Sequence, residues 1–198
     1  MNIDPVMIGC CGANLASLKF AFARLGCEIE VSDDPARLKS ASHVVLPGVG
    51  AAKDAMARLT RLGLTDALTQ IKVPVLGICL GMQLLFQRSD EEDATCLGII
   101  AAAVEKLPDK PNLPIPEMGW NRVEFDSESE LTRGIASGAH AYFVHSFAAP
   151  VGPYTRAWTD YGRPFSSVVA QDNFFGTQFH PERSSIVGAR ILENFLRI

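Results

Sequence analysis

Val73-Pro74-Val75-Leu76-Gly77-Ile78-Cys79-Leu80-Gly81-Met82-Gln83-Leu84-Leu85-Phe86 runs from an apolar strand through a tight turn into a segment of helical period. Within it, Gly77-Ile78-Cys79-Leu80-Gly81 is the Gly-x-nucleophile-x-Gly elbow with cysteine in place of serine. A strand-to-helix turn this tight leaves no room for side chains at the two glycines, and it predicts a strained backbone at Cys79. The helix expected from Leu80 points its positive end at the sulfur and favours a thiolate. A free cysteine is ordinarily a small buried residue and nothing more. The elbow reverses that expectation for Cys79, whereas Cys10, Cys11, Cys27 and Cys96 lack such a setting and are read as structural.

Around this segment, short apolar runs alternate with stretches of helical period. Val6 to Cys10, Ile29 to Val31, His43 to Leu46 and Val75 to Ile78 read as strands. Asn14 is a suitable N-cap for a helix with Leu15, Leu18, Phe22 and Leu25 on one face, ended by Gly26, and a second helix spans Ala51 to about Leu62. Beyond Glu105 the prolines at 108, 111, 114 and 116 force a loop. Shorter strands then follow at Arg122 to Phe125, Ala141 to Val144, Thr155 to Thr159, Ser167 to Ala170 and Phe174 to Phe179. A final helix from about Ser185 to Arg197 turns Ala189, Leu192, Phe195 and Leu196 inward. The fold class is therefore α/β. It is a three-layer α/β/α arrangement with a mostly parallel central sheet in flavodoxin-like order and extra strands in the C-terminal half. The 198 residues fit one domain at ~150 residues per domain and form a core without disulfides.

A net charge of −4 offers no footprint for a phosphate backbone, and no apolar run reaches bilayer length, so neither nucleic acid nor membrane is the expected partner. The first residues carry no Lys or Arg before Lys19, the wrong order of charges for a secretory signal, which points to the cytoplasm. Five cysteines without Cys-x-x-Cys spacing, and the lack of a His/Cys cluster, speak against a disulfide framework and a metal site.

A thiol nucleophile needs a base, and the chain has four histidines, His43, His140, His145 and His180. His180 follows a strand directly, at the end of the sheet where Cys79 also lies; Pro181 stiffens the turn and Glu182 is placed to orient the imidazole. His43 begins a strand and so lies at the opposite edge. His145 ends one and remains the competitor. Acyl-transfer chemistry also needs oxyanion donors: the N–H of Leu80, and a second from Val49 or Gly50 in the loop Pro47-Gly48-Val49-Gly50.

Pro47-Gly48-Val49-Gly50-Ala51, the elbow with Met82-Gln83, Met118-Gly119-Trp120-Asn121, Tyr142-Phe143-Val144-His145-Ser146 and Gly176-Thr177-Gln178-Phe179-His180-Pro181-Glu182-Arg183-Ser184 together resemble the glutaminase subunits of imidazole glycerol phosphate synthase, among the class I (triad) glutamine amidotransferases. The resemblance covers essentially the whole chain. It implies a hydrolase of L-glutamine with Cys79 as nucleophile, His180 as acid and base, and Glu182 orienting His180. Gly50 and Gln83 would lie against the bound glutamine, and the Val49 peptide would turn to present its N–H to the oxyanion. It implies no cofactor and no metal. The implied partner is a (β/α)8 cyclase subunit in a heterodimer, met through Asn14, Trp120, Asn121 and Arg183. The cyclase would use the ammonia to form imidazole glycerol phosphate and aminoimidazole carboxamide ribotide in histidine biosynthesis. A Trp in a loop between Gly and Asn has, besides, little reason of its own to face water.

Two positions depart from the family pattern. The first strand is followed by Gly9-Cys10-Cys11-Gly12-Ala13 instead of an acidic Asp-x-Gly-type turn, and Glu117 stands where His is common. Both are expected near the surface used against the cyclase. Two rival readings share features of this one: an amidotransferase feeding another synthase (a specialised paralogue, or the pyridoxal phosphate or anthranilate type), and a non-catalytic binding protein on the same fold. The intact Cys79, His180 and Glu182 argue against the second.

Overall fold

The computed structural model describes residues 3–11, 14–125 and 129–198. In chain order the elements are β1 (Pro5–Met7), α1 (Leu15–Arg24), β2 (Glu30–Val31), α2 (Pro35–Ser40), β3 (His43–Gly48), α3 (Ala52–Arg61), α4 (Leu64–Gln70), β4 (Val75–Cys79), α5 (Leu80–Gln83), β5 (Phe86–Ser89), β6 (Ala94–Thr95), β7 (Ile100–Lys106), β8 (Glu117–Phe125), β9 (Ala139–His145), β10 (Phe147–Ala148), β11 (Thr155–Asp160), β12 (Pro164–Gln171), β13 (Phe174–Thr177) and α6 (Ser185–Phe195). The main sheet has the order β2-β1-β3-β4-β13-β12-β11-β8-β9. Its first five strands pair in parallel and reproduce the flavodoxin-like order. The other four, all from the C-terminal half, extend it by antiparallel pairing.

β3 and β4 are buried along their whole length. Alternate side chains feed two apolar layers: Val44, Leu46 and Val75 on one face, Val45, Leu76 and Ile78 on the other. Phe22 of α1 and Leu192 of α6 cover the second layer, while Leu38, Leu59 and Leu68 of α2, α3 and α4 cover the first. Continuous apolar runs of this kind belong to central parallel strands, because βαβ crossovers place helices on both sides.

Several boundaries differ from the sequence reading. β1 stops at Met7, short of Cys10, because the Asp33 carboxylate takes the Gly9 and Cys10 N–H groups at 2.8 and 2.9 Å and ends the ladder. An acid from beyond β2 thus serves a turn that lacks its own; Gly12 and Ala13 of that turn lie outside the described residues. Asn14 occupies the N-cap of α1 but makes no side-chain cap bond. The segment after Cys79 is a single helical turn, and the expected helix gives way to β5 at Phe86. β8 begins at Glu117, five residues before the expected Arg122, so Trp120 sits in a strand and not in a loop. In α6 the inward face is Gly188, Ile191, Leu192 and Phe195, and Ala189 points outward. The phase is set by Gly188, where a Cβ would come within 1.8 Å of the Pro181 carbonyl oxygen. A second sheet, order β10-β7-β5-β6, packs beside α3.

Candidate active site

β3, β4 and β13 are neighbours, so their carboxyl ends deliver three loops to one place. The register sets Gly48 beside Cys79 and Thr177 beside Ile78, and the Val49-Gly50 loop, the elbow and His180 emerge together. Cys79 has φ 53° and ψ −111°, a strained conformation for a residue with a side chain. The glycines make it attainable. A Cβ on Gly77 would approach Gly81 O at 2.6 Å, and one on Gly81 would lie 1.8 Å from Leu46 O.

Cys79, His180 and Glu182 line one cleft of about 420 Å3, a size suited to an amino acid. His180 Nδ1 is 3.0 Å from Glu182 Oε1, which leaves Nε2 as the nitrogen available to the thiol in the shared cleft. Burial alone would push the imidazole down. The bonds and charges of Cys79 and Glu182 outweigh it and raise the ring from the ordinary 6.5 to about 10. His180 is therefore held as an imidazolium between a thiol and a carboxylate, the arrangement that activates a cysteine nucleophile.

Because His180 binds its proton more tightly in the folded chain, that proton stabilises the fold fully below pH 6.5, and the contribution is lost as pH rises through about 10. The melting temperature is expected to decline across that window, and less steeply in Glu182→Gln. Parallel profiles in a differential scanning series would contradict the pairing.

The other histidines separate cleanly. His43 opens β3 at the far end of the sheet, bonded to Ser42 Oγ at 2.9 Å and packed edge-on against Phe195. His140 is exposed on β9. His145 lines the cleft, but its Nδ1 lies 2.9 Å from the Phe147 carbonyl oxygen and its Nε2 3.2 Å from Glu117. Its Nδ1 is committed to that carbonyl and its Nε2 lies beside the Glu117 carboxylate, whereas His180 carries the bonded carboxylate of Glu182. Glu117 is itself buried, 3% exposed, although Met118 beside it is 65% exposed. The Asn121 amide donates to Glu117 Oε1 at 2.8 Å, while Oε2 stands 3.2 Å from His145 Nε2 without a hydrogen bond.

Leu80, the first residue of α5, and Gly50 both line the cleft. The Val49 N–H donates to the Cys11 carbonyl at 3.0 Å, so in this conformation it is committed elsewhere. Gln83 lines the cleft, and its amide donates to Phe147 O at 2.8 Å and to Gln178 Oε1 at 3.0 Å. Gln178 in turn places Nε2 3.8 Å from Cys79 Sγ. Sequence reasoning passed over Gln178, although its place two residues before His180 at a strand end was a usable signal. It also missed Glu91, whose carboxylate lines the cleft and accepts the Ala52 N–H at 3.0 Å. No local pattern marks Glu91, which reaches the cleft from a 3-10 turn of the second sheet region.

At the rim, Trp120 is 55% exposed and Met118 65% exposed. Trp120 faces Tyr142 across the β8-β9 pair, and the Arg183 guanidinium lies 4.3 Å from the centre of the Tyr142 ring. Asn14 and Arg183 stand at the cleft itself. Asn121 is turned inward, donating to Glu117 and to the Asp160 carbonyl at 2.8 and 3.1 Å. Among the described residues no group of three or more acidic, His or Cys side chains could hold a metal ion, and no helix is long and apolar enough to cross a membrane.

Residues 6–198 match the family model for glutamine amidotransferase class-I. The chain is 46% identical over 207 residues to the imidazole glycerol phosphate synthase subunit HisH of Shewanella loihica, covering 100% of this chain and 92% of that protein. It is 48% identical to the HisH subunit of Pasteurella multocida, covering 98% and 97%. A putative GMP synthase subunit from Thermoplasma acidophilum superposes with a TM-score of 0.76 at 18% identity, over 100% of this chain and 94% of that one. A glutamine amidotransferase from Thermotoga maritima gives 0.67 at 21%, over 100% and 82%; at such identities these two speak for the fold. Sharing almost half its residues, end to end, with subunits of a single enzyme, the chain belongs to the class-I glutamine amidotransferase family and, within it, to the HisH subunits of imidazole glycerol phosphate synthase.

Proposed function

We propose that this chain hydrolyses L-glutamine to glutamate and ammonia and hands the ammonia to a (β/α)8 cyclase subunit, which incorporates it in forming imidazole glycerol phosphate and aminoimidazole carboxamide ribotide in the cytoplasm. The observation that carries the chemistry is His180, bonded at Nδ1 to Glu182 and sharing one cleft with Cys79 at the mouth of a strained elbow. The thiolate attacks the carboxamide carbon, and the C=O electrons move onto oxygen. Imidazolium His180 then gives its proton to the nitrogen, and the C–N bond breaks to release ammonia and leave a thioester on Cys79. Neutral His180 next takes a proton from water as it attacks the thioester, and the thiol departs with glutamate formed. Leu80 N–H supplies one oxyanion donor. Glu91 is the cleft carboxylate placed to accept from the substrate's α-ammonium, and Gln83 and Gly50 lie along the substrate. Equal molar yields of glutamate and imidazole glycerol phosphate from glutamine, in the chain mixed with its cyclase, are the expected result. Glutamate without cyclised product would overturn the coupling.

The exposed Met118, Trp120 and Arg183 form the rim that suits a protein partner. Trp120→Ala is expected to weaken the complex about tenfold or more in sedimentation. The melting temperature of the isolated chain should hardly change, since the indole is 55% exposed and packs edge-on at Tyr142. The reverse pattern would make Trp120 a packing residue.

A further inference from the structure

The sulfur of Cys79 has two hydrogen-bond neighbours outside the triad, and they sort its protonation states. The Val144 carbonyl oxygen, at 3.9 Å, only accepts and so meets the thiol. The Gln178 Nε2, at 3.8 Å, only donates and so meets the thiolate. Gln178 directly follows β13 and is fully buried, with its backbone N–H fixed on the Ser167 carbonyl at 2.9 Å. A primary amide withdrawn from water in this way has to find its partners inside the protein.

Which end of that amide faces the sulfur is fixed from outside the residue. The Phe147 carbonyl oxygen lies 2.8 Å from the Gln83 amide and can only accept, so the Gln83 atom at that contact is Nε2. The same nitrogen is 3.0 Å from the amide of Gln178, whose facing atom is therefore the acceptor Oε1. Gln178 Nε2 is left for the sulfur, at the end of a chain of bonds that starts on a backbone carbonyl; bonds linked in this way polarise one another. We propose, resting on the glutaminase reading above, that Gln178 is a catalytic residue: its amide, aimed by Gln83, donates a hydrogen bond to the Cys79 sulfur and favours the thiolate over the thiol. No proton is transferred from the amide. The bond is strongest while the sulfur carries charge, before attack and again as the sulfur leaves the thioester, and weak in the thioester itself.

The test uses the full chain with its cyclase. Gln178→Met keeps the length of the side chain and removes the donor. It is expected to raise the pH at which alkylation of Cys79 by iodoacetamide is half-maximal by about one unit, the scale of one hydrogen bond to a charged group. Mass spectrometry of the digest separates Cys79 from the other cysteines. The acid limb of kcat/KM for glutamine should move upward in parallel. Gln83→Met should move the alkylation profile in the same direction, and the double variant no further than Gln178→Met alone, because Gln83 acts through Gln178. In the unaltered chain, the nitrogen and proton signals of the Gln178 amide should titrate at the alkylation midpoint and cease to do so in Cys79→Ala; this measurement serves where the methionine variant fails to fold. A folded Gln178→Met whose midpoint stays within about 0.3 unit of the native one, or an amide signal indifferent to pH, would overturn the proposal. A double variant shifted by the sum of the two single shifts would overturn the part given to Gln83. A native complex without glutaminase activity would instead sink the reaction assigned above, and the alkylation profile and amide signal would still decide whether Gln178 holds the thiolate.

Discussion

Glutamine hydrolysis is expected to fall by at least about 10⁴-fold in Cys79→Ala, because without the thiolate no thioester forms and His180 has no nucleophile to serve. Synthesis supplied with external ammonia should survive, since the thiol's part ends when ammonia is released. Measured glutamate production close to the native rate in that variant would end the assignment. A glutamine-shaped electrophile should label Cys79 ahead of the other four cysteines, read by mass spectrometry of the digest. Substrate shape is needed for that selectivity, because Cys10, half-buried, is itself lowered, chiefly by its hydrogen bond with Cys11. Cys11 and Cys27 are raised, and burial brings Cys96 to about 11, so none of these three rivals Cys79.

The second large effect concerns the Val49 peptide. Its N–H is bonded to the Cys11 carbonyl, so the chain by itself is expected to be a poor glutaminase with one oxyanion donor turned away. Loss of one such donor costs about 10²- to 10³-fold in rate. Binding of the cyclase with its nucleotide is expected to recover a factor of that size by favouring the turned-in peptide. Gly48 and Gly50 flank Val49, and Gly50 already has φ +87°, a region open to glycine at little cost, so rotation of the peptide between them is cheap. There is a chemical reason for such restraint, as ammonia released into water away from an acceptor is lost by protonation and diffusion. Steady-state glutamate production by the chain alone, with cyclase, and with cyclase plus a nucleotide analogue decides it. Three equal rates would defeat the gating and leave the triad standing.

The central parallel strands and the elbow turn at Cys79 were readable from local pattern, for a shared physical reason. Val75 to Ile78 is an unbroken apolar run because it is covered on both faces, and the elbow glycines are demanded by clashes within a few residues of Cys79. His180 and Glu182 are likewise two residues apart, and their bond is local. The boundaries that went astray depended on distant partners. Glu117 to Asn121 carries no strand signal of its own, and β8 starts there because β9 offers it a ladder. The second sheet assembles two- to seven-residue strands too short for periodicity to register.

The sequence by itself therefore determined the α/β class, the flavodoxin-like core and the strained elbow at Cys79, all features enforced by sterics or burial over a few neighbouring residues. Only the tertiary structure decided that His145 commits its Nδ1 to the Phe147 carbonyl, that Glu91 and Gln178 reach the cleft, and that the Val49 N–H points at Cys11. Each of these is a contact between segments far apart along the chain. Which acceptor a given N–H meets, or which carboxylate a given imidazole, is settled by the packing of the sheet and not by the residues beside it.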